Sequence, residues 1–158
     1  MATRFVQRGS PVAASQTGEH AGIGVKASDN LLYVNADGTA RPIPTANVEA
    51  KTASFTATAA QSGTTFVADS TTSVIVTLPA TAKGLRYTLV VGQLTTVTGH
   101  SFSPAAADKI MGNGFTAADD KDAICTAASD RIGDAITLVG DGVDGWYITS
   151  VVGTWARE

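Results

Sequence analysis

Through the second two thirds of this chain, apolar and polar residues alternate with a period of two, and no long stretch keeps the spacing of a helix. A period of two puts successive side chains on opposite faces of an extended strand. TTSVIVTLP sets Val74, Val76 and Leu78 on one side, and Pro79 stops the run. LRYTLVVGQ groups Tyr87, Leu89 and Val91, and AITLV groups Ile136 and Leu138. GWYITSVVGTW predicts Trp146, Ile148, Ser150 and Val152 on one face, with Tyr147, Thr149 and Val151 on the other. KTASFTATA predicts a shared face for Phe55, Ala57 and Ala59, and TTFVADS reads as a further strand. LTTVTGHSFSP is rich in Thr and Ser, with Val97 and Phe102 as its anchors. Short strands at this spacing, broken by Gly and Pro, predict an all-β fold. The expected architecture is a compact antiparallel β-sandwich or barrel-like domain over residues 51–158.

One segment resists the pattern. FTAADDKDAICTAASDRIGD opens with Thr116-Ala-Ala-Asp119, the form of a capping box, so a turn of helix could start there. The apolar residues that follow hold no helical stripe, and the segment reads as a long loop with room for a short helix or an edge strand.

Residues 1–50 differ in texture. SPVAAS, TGEHAGIG, NADG and RPIPTAN are punctuated by Gly, Pro, Ser and Asn. LLYVNADGTARPI predicts a small hairpin, in which Leu32 and Val34 lead into a turn at Asn35-Ala36-Asp37-Gly38 and Ile43 lies on the return. Pro42 and Pro44 lack a backbone donor and cannot continue a central strand. With few large apolar residues, the region is not expected to fold alone. It reads as an extended N-terminal arm ordered by what it lies on, or else as a disordered tail.

Composition narrows the function classes. The chain has 158 residues, enough for one domain with an appended arm. Apolar residues make up 44% and charged residues only 16%, which argues against disorder of the whole and suggests a surface partly covered by a partner. A net charge of −3 offers no basic excess for phosphates, so no nucleic-acid partner is expected. No stretch approaches the roughly 20 apolar residues of a membrane-spanning helix, and MATRFVQRGSPVAASQTG lacks the apolar run of a secretory signal. No membrane partner is therefore expected. The single cysteine, Cys125, permits no internal disulfide and reads as a small buried hydrophobe.

The candidate chemistry is thin. His100 in TGHSFS stands next to Ser101, yet no G-x-S-x-G elbow is present, and His20 sits in the glycine-rich arm. Asp119, Asp120 and Asp122 form one acidic group, and Asp141 and Asp144 of GDGVDGWYITS another. An EF-hand loop needs alternating oxygen ligands, a glycine and then a glutamate, and this spacing does not supply them. Aspartate and glycine in that order read as a turn. No phosphate-binding glycine loop occurs. The expectation is of no enzyme, no catalytic residues, no cofactor and no metal.

A resemblance rests on three stretches, TLPATAKGLRYTLVVGQ, GHSFSPAAADKIMGNG and ITLVGDGVDGWYITSVVGTW. Their sequence of features is Leu78-Pro79, then Gly84-Leu85-Arg86-Tyr87, then Asp108-Lys109-Ile110-Met111-Gly112, then a strand, a Gly-Asp-Gly turn and a Trp-bearing strand from Ile136 to Trp155. This pattern, over about residues 70–158, resembles structural proteins of tailed bacteriophages, both capsid decoration (cement) proteins and fibre or spike β modules. Each feature also has a physical reading. Pro79 would end an exposed edge, Gly84 would permit a tight approach, and Trp146 would anchor a strand start. The resemblance implies a non-enzymatic virion protein on the outer capsid surface, assembled in the bacterial host cytoplasm. Its implied partners are the major capsid protein and further copies of itself as a homotrimer. An arm beginning with Arg4, Phe5, Val6 and Arg8 would lie in grooves of the coat, with the arginines pairing to acids. The chain is short and shows neither repeats nor heptads, which favours decoration over a fibre. Two alternatives stand beside it. One is a receptor- or glycan-binding module of a fibre or spike, for which Tyr33, Tyr147, Trp146 and Trp155 are the candidate aromatics. The other is a small β hydrolase acting on cell-wall polymer.

Overall fold

The computed structural model describes the backbone of residues 22–25, 32–36 and 39–42, and both backbone and side chains of residues 47–112 and 114–158. The chain divides into two compact units, Met1–Thr45 and Ala46–Glu158. Arg4, Phe5, Val6 and Arg8 lie outside the described residues.

In the first unit, β1 (Gly22–Val25), β2 (Leu32–Ala36) and β3 (Thr39–Pro42) form an antiparallel three-stranded sheet in that order. Ala36 pairs with Thr39, so the register leaves only Asp37 and Gly38 between β2 and β3. An Asp-Gly pair is the preferred filling of a two-residue hairpin connection. Asn35 and Ala36, expected in a four-residue turn from Asn35 to Gly38, are instead paired with Ala40 and Thr39; Asp37 and Gly38 lie outside the described residues. Pro42 ends a strand at the sheet edge, where a missing donor is tolerated. Ile43, expected on the return strand, lies outside the described residues.

The second unit is a β-sandwich. Its strands are β4 (Asn47–Lys51), β5 (Phe55–Thr56), β6 (Thr64–Ala68), β7 (Ile75–Thr77), β8 (Arg86–Val91), β9 (Gly99–Ser103), β10 (Lys109–Met111), β11 (Ala123–Thr126), β12 (Ala135–Gly140), β13 (Gly145–Val152) and β14 (Ala156–Arg157). A large sheet has the order β10-β13-β12-β8-β6-β4, and a small one the order β14-β11-β9-β7-β5. Among the described residues, helix is limited to one 3-10 turn at Ala59–Gln61. β4 belongs to the large sheet, so the sandwich begins a few residues before the boundary at residue 51.

The all-β sandwich follows the sequence pattern, but the sheets are mixed rather than antiparallel. From β4 to β9 the chain crosses from one sheet to the other after every strand. A strand's in-sheet neighbour is therefore the strand after next, and it runs the same way. β4, β6 and β8 pair in parallel, as do β5, β7 and β9. Antiparallel pairing enters with β12 and with β11. Evenly spaced short strands look alike in sequence whether they form hairpins or coil between two layers.

The inner faces carry the large apolar groups. Tyr87, Leu89 and Val91 of β8, Ile136 and Leu138 of β12, and Phe66 of β6 face Val76, Phe102 and Cys125 of the small sheet, all fully buried. Phe55, Phe66, Tyr87 and Trp146 form a chain of ring contacts with centroids 4.9, 6.1 and 5.6 Å apart. Val74, Val76 and Leu78 are buried together, as their alternation predicts. Two readings fail. Val97, expected as an anchor, is 53% exposed in the loop between β8 and β9. In β13 a bulge between Thr137 and Leu138 of its partner shifts the register, so that Ile148 opposes Leu138 but Ser150 opposes Thr137 and Val151 opposes Ile136. Val151 thereby joins the core side, and Ser150 and Val152 turn outward. One extra residue reverses the alternation downstream of it.

The ambiguous segment contributes β11, an interior strand of the small sheet between β9 and β14. No helix forms at Thr116–Asp119, where Asp119 makes an isolated bridge to Lys109. Pro79 follows β7, which is also interior, so it closes a covered strand rather than an exposed edge. Each sheet edge is blunted. β5, β10 and β14 have two or three residues. The longer edge strand β4 turns Glu49 and Lys51 toward the core side, paired at 2.8 Å, with the Lys51 ammonium 4.5 Å from the Phe55 ring centre. Inward charges and short edges oppose strand addition by another chain.

Candidate interaction surface

The features that carry the phage resemblance meet at one end of the sandwich. The Thr81 N–H donates to Asp108 Oδ2 at 2.7 Å, and its hydroxyl donates to the Gly145 carbonyl at 2.7 Å. The Gly84 N–H reaches the Gly140 carbonyl, and the Lys109 N–H reaches that of Asp144, both at 3.0 Å. Loops 79–85, 104–109 and 140–145 are thus tied to one another. Gly84 adopts φ +85° with open space around it, so its glycine is required by backbone conformation and not by the tight approach expected.

The GDGVDG stretch is a capped turn. Asp141 Oδ1 accepts the backbone N–H groups of Val143, Asp144 and Gly145 at 2.8, 3.0 and 3.0 Å. Those donors, Gly145 foremost, hold the Asp141 carboxyl below its usual pKa. At Gly145, φ is +149°, and any side chain would run into the Lys109 backbone. The turn therefore delivers Trp146 into the core and lets β10 pair closely with β13. Lys109 sits 3.4 Å from both Asp144 and Asp119, and the Asp144 hydrogen bond leads in raising its pKa. Among the described residues, no group of three or more His, Cys, Asp or Glu side chains is arranged to hold a metal ion.

His100 is a core residue. Its Nδ1 accepts the Val74 N–H at 3.1 Å, which leaves the proton on Nε2, 2.8 Å from the Gln93 carbonyl it donates to. Strand alternation points Ser101 the other way, and its hydroxyl donates to Asp122 at 2.9 Å. The pair adjacent in sequence is thus separated by the sheet. Cys125 is buried with its thiol 3.6 Å from Asp134, and burial first, then the nearby carboxylate, pushes its pKa up to about 12. Of the candidate aromatics, Trp146 and Trp155 are buried and Tyr147 is half exposed; the Tyr33 side chain lies outside the described residues.

The feature least expected from the sequence is the outer face of the large sheet. Ladder pairing aligns its outward residues in rows across the strands. One row is Val152, Ala135, Val90, Val67 and Ala50. The next is Ser150, Thr137, Thr88, Thr65 and Val48. The last, at the end bearing the capped turn, is Tyr147, Val139 and Arg86. Arg86 is the one charge in these rows. Thr88 and Thr137 hydrogen-bond to each other across the strands at 2.9 Å, so part of the polar capacity is already used. Val48 is 64% exposed and Val152 56%. A shallow depression of about 240 Å³ runs along Ile148–Val151 beside the bulge. One outward row is apolar and the next mostly hydroxyl-bearing, with charge limited to Arg86, so these rows carry less charge than a solvated sheet face normally does. Its signal in the sequence was available: β6, β8 and β12 read as nearly continuous Val, Thr, Leu and Ile on both faces.

No protein-family model matches the chain, and no curated protein matches it. Among the described residues, no helix is long and apolar enough to cross a membrane.

Proposed function

We propose that this protein is a non-enzymatic structural component of a phage virion. In this reading it binds the outer surface of an assembled head, as a homotrimer, with the major capsid protein as its partner. The observation that carries the proposal is the outer face of the large sheet, where the rows through Val90 and Thr88 carry no charge and Arg86 stands at their end, on a chain with only 16% charged residues. Such a face suits permanent cover by protein better than exposure to water. Support also comes from the clustering of the resemblance features at one end, where each serves the fold, and from His100, whose ring nitrogens are both engaged inside the core.

The mechanism is stabilisation by binding. A packed genome strains the seams between coat subunits. A protein that contacts only the assembled shell shifts the equilibrium toward the intact form by mass action. Copies joined to one another engage several coat subunits together and gain from multivalency. The number three is carried by the resemblance. Purified protein mixed with undecorated phage heads is expected to sediment with them. Recovery of all of it in the supernatant would sink the reading.

A further inference from the structure

We infer that the outer face of the large sheet is a self-association surface, packed against the same face of a second copy of this chain in a two-fold pair, a contact separate from the three-fold one of the proposed virion role. Three observations select that occupant. First, at the edges of the sandwich strand addition is disfavoured because the edge strands are short or, at β4, carry inward charges, which favours a face as the route of association through this unit. Second, the rows through Val90 and Thr88 contain no carboxylate and no lysine, and Arg86 stands at their end. Interfaces between identical subunits are the apolar, charge-depleted kind, whereas surfaces that recognise a foreign partner transiently carry charges that steer it. With a net charge of −3 on every copy, a face free of acid is also where self-contact meets least repulsion. Third, the area suffices. Five strands about 4.8 Å apart, each about five residues long with two or three of them facing out, span roughly 24 by 17 Å. A corrugated surface exceeds its projection, so two copies bury on the order of 1,000 Å², close to the lower bound for a specific interface. Small β-branched side chains and hydroxyls on a sheet permit the roughly 10 Å spacing at which sheets pack.

An interface near that lower bound is reversible, so the association is concentration-dependent. Sedimentation velocity of the full chain over a dilution series tests it. The unaltered protein is expected to change from oligomer to monomer on dilution. The double variant Thr88→Lys/Val90→Lys is expected to weaken self-association about a hundredfold, because uncompensated charge would have to be buried. Thr56→Lys/Thr77→Lys, on the outer side of the small sheet, serves as the control and is expected to leave association unchanged. If the lysine variant misfolds by circular dichroism, Val67→Ala/Val90→Ala, which adds no charge, is expected to weaken association measurably. A protein monomeric at every concentration overturns the inference. So does an oligomer that survives the large-sheet variants, or one that responds equally to both sheets. The heads assay fails independently: a protein that self-associates through this face yet ignores phage heads would refute the virion role and leave the inference standing.

Discussion

The two faces of the large sheet are built from the same strands and differ in almost every property. On β8, Tyr87, Leu89 and Val91 point inward and are fully buried, while Thr88 and Val90 between them point outward and are partly open. The inner face uses big groups of varied shape that interlock with a second sheet. The outer face uses mostly small side chains, Val, Thr, Ala and Ser, with Tyr147 and Arg86 at one end. The outer rows through Val90 and Thr88 carry no charge, and the inner face confines Glu49 and Lys51 to its β4 edge. The inner face shows the size and shape variety of a packed core, and the outer face the smaller side chains of a surface outside it.

The comparison can be broken at several points. Trp146→Ala should have the largest effect, about 3–5 kcal/mol of stability in guanidinium denaturation, since it empties the inner face where the ring chain ends. A loss below about 1 kcal/mol would show that the inner face is not closely packed. Next comes a paired test on one strand. Leu89→Ala is expected to cost about 2–5 kcal/mol, and its neighbour Val90→Ala no more than about 1 kcal/mol, measured on dilute monomer. Equal costs would erase the distinction between the faces.

A smaller effect is expected at the loops. Asp141 has a depressed pKa when folded, so its contribution is present above the ordinary carboxylate range and is lost as pH falls through the folded value. Asp141→Asn should therefore be less stable at neutral pH and show a flatter decline into acid than the unaltered protein, in paired thermal melts from pH 7 downward. Parallel curves would exclude the turn cap as the cause. The gentlest test leaves stability alone. Cys125, with its thiol pushed up to about 12, is expected to resist alkylation at pH 8 until the protein unfolds. A cysteine placed by Val90→Cys, in a Cys125→Ala background, should label quickly in monomer and slowly in oligomer. Identical rates at low and high concentration would count against cover of the outer face.

Much of the fold was legible. Alternation located most of the core correctly in β7, β8, β12 and the start of β13, and the turn at Gly140–Gly145 was readable from backbone preference alone. Three things were not. Strand direction was hidden because the partner of each early strand lies two strands away, and nothing local encodes that. The β13 bulge was hidden because alternation itself does not show where a residue is left over. β11 was hidden because its Ala, Ile and Cys are too small to mark a strand against the acids around them. The outer face of the large sheet escaped notice for another reason. Composition hinted at a covered surface, but only the ladder register shows that Val67, Val90 and Ala135 stand side by side.

The coiling of β4 to β9 between the sheets also bears on time. A hairpin closes on itself within a few residues, whereas here each early strand must wait until the chain has crossed to the opposite layer and returned. Contacts so distant in sequence make for slow folding, in the millisecond-to-second range for domains of this class. While that search lasts, the valine- and threonine-rich segments stand open to neighbours. The blunted edges of the finished sandwich give no protection until they exist. Newly made chains are therefore most vulnerable to sticking together wrongly before the sandwich has closed.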